Sequence, residues 1–333
     1  MRRIVPALLI FLALGPLPGT HMRFPVLQTG SQQIAARPLD YPADTAGVLR
    51  FVRGWRLVSP NQAFGGLSSL AVIGPDRFQF VGDNGWWTRL TLHSDGRISD
   101  AGIATLPAEQ GGKQRKWQRD VESMFHDPAS GKSWMAFEGV NQVWRLDPDL
   151  TKVESRARLP EPRWPGNRGP EAMVRLADGR TIIFSEDADD DPRGREALAF
   201  TGDPSVPGTN AIRFFYDSQR KGLVSDAAPL PDGRILLVHR RMGFRSVFTT
   251  VLAIVDPADI GPGRVIRSQW LARVPLPLAD NYEGAAVEVR GGRTYVWLVS
   301  DDNFNSWQRT LLLQFELVGL PPPPKTDSKK AAR

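Results

Sequence analysis

Five segments of the chain repeat one pattern, and the repeat constrains the fold more than any other feature. They are FGGLSSLAVIGPDRFQFVGDNG (64–85), RDVESMFHDPASGKSWMAFEG (119–139), RGPEAMVRLADGRTIIFSED (168–187), LVSDAAPLPDGRILLVHRR (223–241) and NYEGAAVEVRGGRTYVWLVSDD (281–302). Each has a polar residue, a short apolar strand, a Gly/Asp turn, a second apolar strand and another polar residue. Asp-Gly and Gly-Gly turns suit tight hairpins because positive φ costs little there. The anchors Ser68, Glu122, Glu171, Asp226 and Glu283 lie 54, 49, 55 and 57 residues apart. That period matches one four-stranded blade with generous loops. The expected fold is all-β, a β-propeller. Residues 48–58 (VLRFVRGWRLV) and 310–317 (TLLLQFEL) read as strands from opposite ends that share a blade and close the ring. Five repeats plus this material predict six blades, with five as the alternative.

In an innermost hairpin, the start of the first strand and the end of the second lie on the same face. Here both places are polar: Ser68 with Asp83 and Asn84, Glu122 with Glu138, Glu171 with Glu186 and Asp187, Asp226 with His239 and Arg240, and Glu283 with Asp301, Asp302 and Asn303. The separations are 15, 16, 15, 13 and 18 residues. A ring of blades would therefore bring about nine carboxylates to one end of the central channel. Like charges this close raise one another's pKa unless compensated. A metal ion would compensate them, or basic partners such as Arg240, Arg241 and Arg309. Hard oxygen ligands favour Ca²⁺ or Mg²⁺ over zinc.

At these same residues the chain resembles the phytase-like family, described by its esterase-like activity. The matching pieces are FGGLSSL with GDNG, RDVESM with AFEG, NRGPEAM with ADGR and FSED, DNYEGAAV, and the closing SDDNFNSWQRTLLLQFEL, over roughly residues 46–318. The resemblance implies an exported bacterial β-propeller. The long Asp-rich calcium motifs of the alkaline propeller phytases are missing, so it does not imply phytate hydrolysis.

Composition removes other classes. The chain has 333 residues and no cysteine, which excludes disulfides, thiolate nucleophiles, Cys-ligated zinc and iron–sulfur clusters. The formal charge is +6, carried mostly by the termini; nucleic acid is not an expected partner. Arg2-Arg3 before the apolar stretch Ile4–Leu14 reads as a secretory signal with cleavage near Gly19, or as an uncleaved N-terminal anchor. The stretch is too short to span a bilayer, which takes about 20 apolar residues. The expected organisation is a signal or anchor at 1–22, a linker at 23–45, the propeller at 46–318, and a Pro-rich basic tail at 319–333. The expected location is periplasmic or secreted, and the expected state a monomer.

Other sites are weaker. Gly66-Leu67-Ser68-Ser69-Leu70 lacks the last Gly of a nucleophile elbow. Among His21, His93, His126 and His239, only His239 falls in the ring register. The run Asp187, Asp189, Asp190, Asp191 does not have EF-hand spacing. Trp86, Trp87, Trp117, Trp164 and Trp307 fall in or near top loops, where they serve packing or sugar stacking. The functional expectation is a metal-assisted hydrolase of a small anionic ester, phosphoester or lactone. His239, Arg240 and Glu138 are assigned to catalysis, and Ser68, Asn84 and Arg309 to substrate binding. Asp83, Glu122, Glu171, Glu186, Glu283 and Asp301 are assigned to Ca²⁺, with Mg²⁺ or no ion as alternatives. The other reading is a non-catalytic envelope propeller that binds a ligand or protein with the same face.

Overall fold

A computed structural model describes residues 28–42, 45–107, 118–160, 164–165, 168–186, 191–243 and 247–322. The signal or anchor segment and most of the basic tail lie outside the described residues. Those described form five blades, antiparallel apart from the edge strand Val265–Arg267, which runs parallel to Ala211–Asp217 in the third; two short 3₁₀ turns, Pro257–Asp259 and Leu276–Leu278, accompany them. None of their helices is long and apolar enough to cross a membrane.

The first blade runs outward from Leu67–Gly74 through Arg77–Gly82, Trp86–Leu92 and Ile98–Thr105. The second comprises Val121–His126, Ser133–Phe137, Gln142–Leu146 and Val153–Arg158. The third comprises Pro170–Arg175, Thr181–Ser185, Arg195–Phe200 and Ala211–Asp217, and the fourth Leu223–Pro229, Ile235–Met242, Phe248–Val255 and Gln269–Arg273. The fifth runs from Tyr282–Arg290 through Arg293–Ser300 and Leu311–Leu317 to Leu49–Val58.

Five blades, not six, correct the expectation. The hairpin at 282–300 already supplied two strands of the fifth repeat. The terminal segments complete that same blade, with Phe315 opposite Phe51 and Leu317 opposite Leu49. Part of the segment read as linker also joins the sheets. Gly30–Ser31 edges the first blade and Ala35–Pro38 edges the fifth.

The hairpin turns follow from their sequences. In ADGR and PDGR the Asp carboxylate accepts the N–H two residues on, from Arg180 to Asp178 at 3.0 Å and from Arg234 to Asp232 at 3.1 Å. Gly179 and Gly233 take the positive φ that the turn requires, +91° and +86°.

Second strands such as Thr181–Ser185 are buried at every residue, because a blade in mid-ring is covered on both faces. The outer strand Val153–Arg158 instead alternates half-buried and exposed residues. A separate apolar cluster fills the space between each pair of neighbouring blades, and also between the fifth and the first. In that last interface Phe78 packs edge-on against Trp297 at 4.7 Å, and Trp55 stacks on Trp297 at 6.4 Å. The inner strands thus surround one axis, and each presents its first residues to the same end.

Candidate functional site

Every inner hairpin carries the same irregularity. Leu67 pairs with Gly82 but Ser69 with Val81, so Ser68 is an extra residue. By the same register shift the extra residues of the other blades are Glu122, Glu171, Ser225 and Glu283. A β-bulge leaves one residue unpaired and re-aims its side chain. Three bulge residues are glutamates, and all three line a cavity of about 200 Å³ at the axis. On the second strand, the residue one past the partner of the residue before the bulge is Asp83, Glu138, Glu186, Arg240 or Asp301, and all five line the same cavity. Seven carboxylates and one guanidinium therefore face one small space.

This register corrects the sequence reading of the fourth blade. Its bulge residue is Ser225 rather than Asp226, and its second-strand residue is Arg240 rather than His239. The Ser225–Arg240 separation is 15, in line with the other blades. The value of 13 obtained with Asp226 and His239 was the signal that the frame was off by one at each end.

Asp226 lies deeper and is buried. Its carboxylate accepts the Ala285 N–H at 2.6 Å, the Ala227 N–H at 2.8 Å and the Ser123 hydroxyl at 3.2 Å, which ties the second, fourth and fifth blades together. His239 is wholly buried, with Nε2 2.8 Å from the Tyr216 hydroxyl, which also meets Ser268 at 2.6 Å. Burial pushes its imidazole down to about 3, so it stays neutral and is removed from the cavity. It is not among the residues that line the cavity.

Arg240 supplies the counter-charge. It donates to Glu283, to Glu186 at 2.7 Å and to Glu171 at 3.2 Å, and also to Asn281. Its hydrogen-bonding edge is therefore engaged with protein carboxylates and not offered to an anion. Glu138 accepts the Gly169 N–H at 3.1 Å, and Asp301 accepts the Asn303 N–H at 2.7 Å. Glu122 has no hydrogen bond or ion pair among the described residues.

Burial dominates the electrostatics. It pushes Glu138 up to about 7 against the Gly169 N–H, with Asp120 and Glu186 adding to the rise. Glu122 is held well above the carboxylate range by burial and then by Glu171 and Glu283. Glu171 is raised by burial although Arg240 opposes it, and Asp301 by burial and then Glu283. Two triads have carboxylate oxygens within 4.8 Å of one another: Asp120, Glu122 and Glu138, and Glu138, Glu171 and Glu186. Oxygens sharing one Ca²⁺ at about 2.3–2.6 Å lie no more than about 5 Å apart, so the donor set fits such an ion. Asp120, in RDVESM, is a residue the sequence reading passed over.

The other expected residues are elsewhere. Ser68 is buried and donates to the Val121 carbonyl at 2.5 Å, joining the first two blades. Arg309 pairs with Asp280 at 2.9 Å, and Asn84 is outside the cavity lining. His93 and His126 each meet a serine hydroxyl, Ser99 at 2.9 Å and Ser133 at 3.2 Å. Trp86 is in the core, Trp164 donates to Glu196 and Trp87 lies under Arg89. His21, Trp117 and residues 187–190 lie outside the described residues.

The FGG and DDNF pieces meet at the cavity rim. Gly66 has φ +61° and donates its N–H to Asp302 at 3.1 Å. A Cβ there would lie 2.5 Å from the Phe304 ring and 2.7 Å from Asp83.

A sequence profile of the phytase-like family, described as esterase-like activity of phytase, matches residues 62–304. No curated protein matches the chain. Among solved structures it is similar to a Myxococcus xanthus glutaminyl cyclase, at 14% identity and a TM-score of 0.48, over 83% of this chain and 100% of that one. It is similar to a chain of a nidogen/laminin complex at 13% and 0.43, over 86% and 100%. A Kuenenia stuttgartiensis hydrazine synthase chain follows at 13% and 0.40, over 77% and 74%.

Proposed function

The chain belongs to the phytase-like family, and from that premise we propose that it is an exported, metal-assisted hydrolase of a small anionic ester, phosphoester or lactone, working at the acidic cavity. One observation carries the reading: seven carboxylates face a single guanidinium. Such a space repels an anion until cations offset it, and its oxygens suit Ca²⁺ or Mg²⁺. Glu122, Glu138, Glu171 and Glu186, with Asp120 at the edge, would hold the ion. A bound divalent cation supplies Lewis-acid polarisation of the scissile group and a more acidic water.

The chain's own residues do the rest. Arg240 fixes Glu171, Glu186 and Glu283 in place and lowers their mutual repulsion. Glu138, raised to about 7 in the ion-free protein, must release its proton before its oxygens can hold the ion. The test is a thermal melt of EDTA-stripped protein with Ca²⁺, Mg²⁺, Mn²⁺ or Zn²⁺ added in turn. An ion at about 100 times its Kd adds roughly 2.7 kcal/mol. The reading requires a selective shift with Ca²⁺ or Mg²⁺, and metal-dependent ester or phosphoester turnover that Glu171→Gln abolishes.

The second reading, a non-catalytic ligand-binding propeller of the cell envelope, is favoured by the same arginine. Arg240 neutralises part of the ring without an ion. No shift with any cation would put that reading first.

A further inference from the structure

Beside the acidic cavity lies a larger groove of about 550 Å³ that the reading above does not use. Arg240 and Asn303 line both spaces, so the two are adjacent. Their chemistry is opposite. Leu223, Met242, Phe248 and Trp307 make the groove walls apolar. Trp307 stacks on Phe248, centroids 5.9 Å apart and planes 11° from parallel, and still leaves 47% of itself exposed. Met242 is 70% exposed. Large apolar side chains held open to water around a concave space mark a ligand groove.

The groove also holds a cation. Strand alternation sends Arg240 to the carboxylates, while the next residue, Arg241, lines the groove. Arg241 is exposed and has no hydrogen bond or ion pair among the described residues. Its guanidinium is a fork that fits phosphate, sulfonate or carboxylate oxygens.

We propose that this groove binds the non-reacting part of the substrate, an aryl-bearing organic anion, with the ring on the Trp307–Phe248 platform and the anion on Arg241. Offset stacking on an already paired tryptophan gives a flat ring its place. The shared walls at Arg240 and Asn303 set the attached ester beside the acidic cavity. The proposal rests on the hydrolase reading only in calling the occupant a substrate; the binding itself needs no metal.

The test uses the full chain in EDTA and a probe that is neither a chelator nor hydrolysable. Affinities for 1-naphthalenesulfonate, methanesulfonate and 1-naphthylmethylammonium are measured by calorimetry. The naphthalenesulfonate should bind about tenfold or more tightly than either of the others. Trp307→Ala and Arg241→Ala should each remove most of that preference, and Arg241→Lys should retain part of it. Thermal melts of the variants confirm that they fold. Equal binding of the ammonium probe, equal binding of methanesulfonate, or no effect of Trp307→Ala in a folded variant overturns the proposal. Cation binding in the cavity is scored separately. Its absence defeats the hydrolase reading and leaves the groove standing; its presence with no naphthalenesulfonate binding defeats only the groove.

Discussion

Glu138 and Arg240 are two of the places where the cavity lowers its own charge, one with a proton and one with a guanidinium. Their consequences have opposite pH dependence. Glu138 is raised in the folded chain from 4.5 to about 7. The folded state holds that proton after the unfolded state has released it. The stability it contributes is full below about pH 4.5 and lost as pH rises through about 7, amounting to about 3 kcal/mol. In EDTA the protein should therefore be more stable at pH 5 than at pH 8, and Glu138→Gln should reduce the difference without abolishing it, since Glu122, Glu171 and Asp301 are raised as well, as read by urea denaturation. Protons and cations compete for the same oxygens, so Ca²⁺ should stabilise more at pH 8 than at pH 5. Arg240→Met removes the charge and keeps much of the volume. It leaves Glu171, Glu186 and Glu283 without their partner, and should cost about 3–5 kcal/mol at pH 8. The loss should shrink at pH 5, because burial raises Glu171 and Glu283. The acids were legible one by one, because a Glu or Asp at each strand end stands out against Val, Ile and Leu. Arg240's allegiance was not, because it depends on carboxylates 43 to 69 residues away in sequence.

At the scale of the element, the bulged inner hairpin is the unit that builds the site. The bulge spends its extra residue on the cavity in three blades and on a buried serine in two. Asp226 sits one residue beyond the bulge and staples three blades rather than lining the cavity. Asp226→Asn offers one acceptor oxygen where two are used. It should cost about 1–3 kcal/mol and leave cation affinity unchanged, as a melt with and without Ca²⁺ will show. Gly66 is the matching test at the rim. Gly66→Ala meets both a left-handed φ and the Phe304 ring, and should destabilise by about 2 kcal/mol or more. Because Asp83 lies on the same side, that variant should weaken cation binding as well. The inner hairpins could be found from sequence because their strands are mostly apolar and their turns carry Gly with Asp, Pro or a second Gly. Outer strands such as Val153–Arg158 are half in water, and their alternation gives a weaker signal.

At the scale of the whole molecule, the fifth blade joins the two ends of the chain. Leu49–Val58 pairs with Leu311–Leu317, and Leu49, Phe51 and Phe315 are buried between the fourth and fifth blades. Phe315→Ala should cost about 3–5 kcal/mol. Removing everything before residue 59 strips the blade of a strand and exposes the edge of Leu311–Leu317. The truncated protein should lose its cooperative melt, and with it any cation-dependent shift.

The sequence by itself determined the hairpins, their turns and the gathering of acids at one end of an all-β ring. Those features follow from local chemistry: strand propensity, positive φ at glycine and the fixed length of a closed hairpin. Only the tertiary structure decided that there are five blades, that Ser225 and not Asp226 occupies the bulge, that His239 is buried, and that Arg240 serves the carboxylates while Arg241 faces the groove. Each of these turns on a one-residue shift in register or on a partner from a distant blade. The shift marks the sequence only as the short separation of 13 in the fourth blade, and a distant partner leaves no mark in the spacing of residues along the chain.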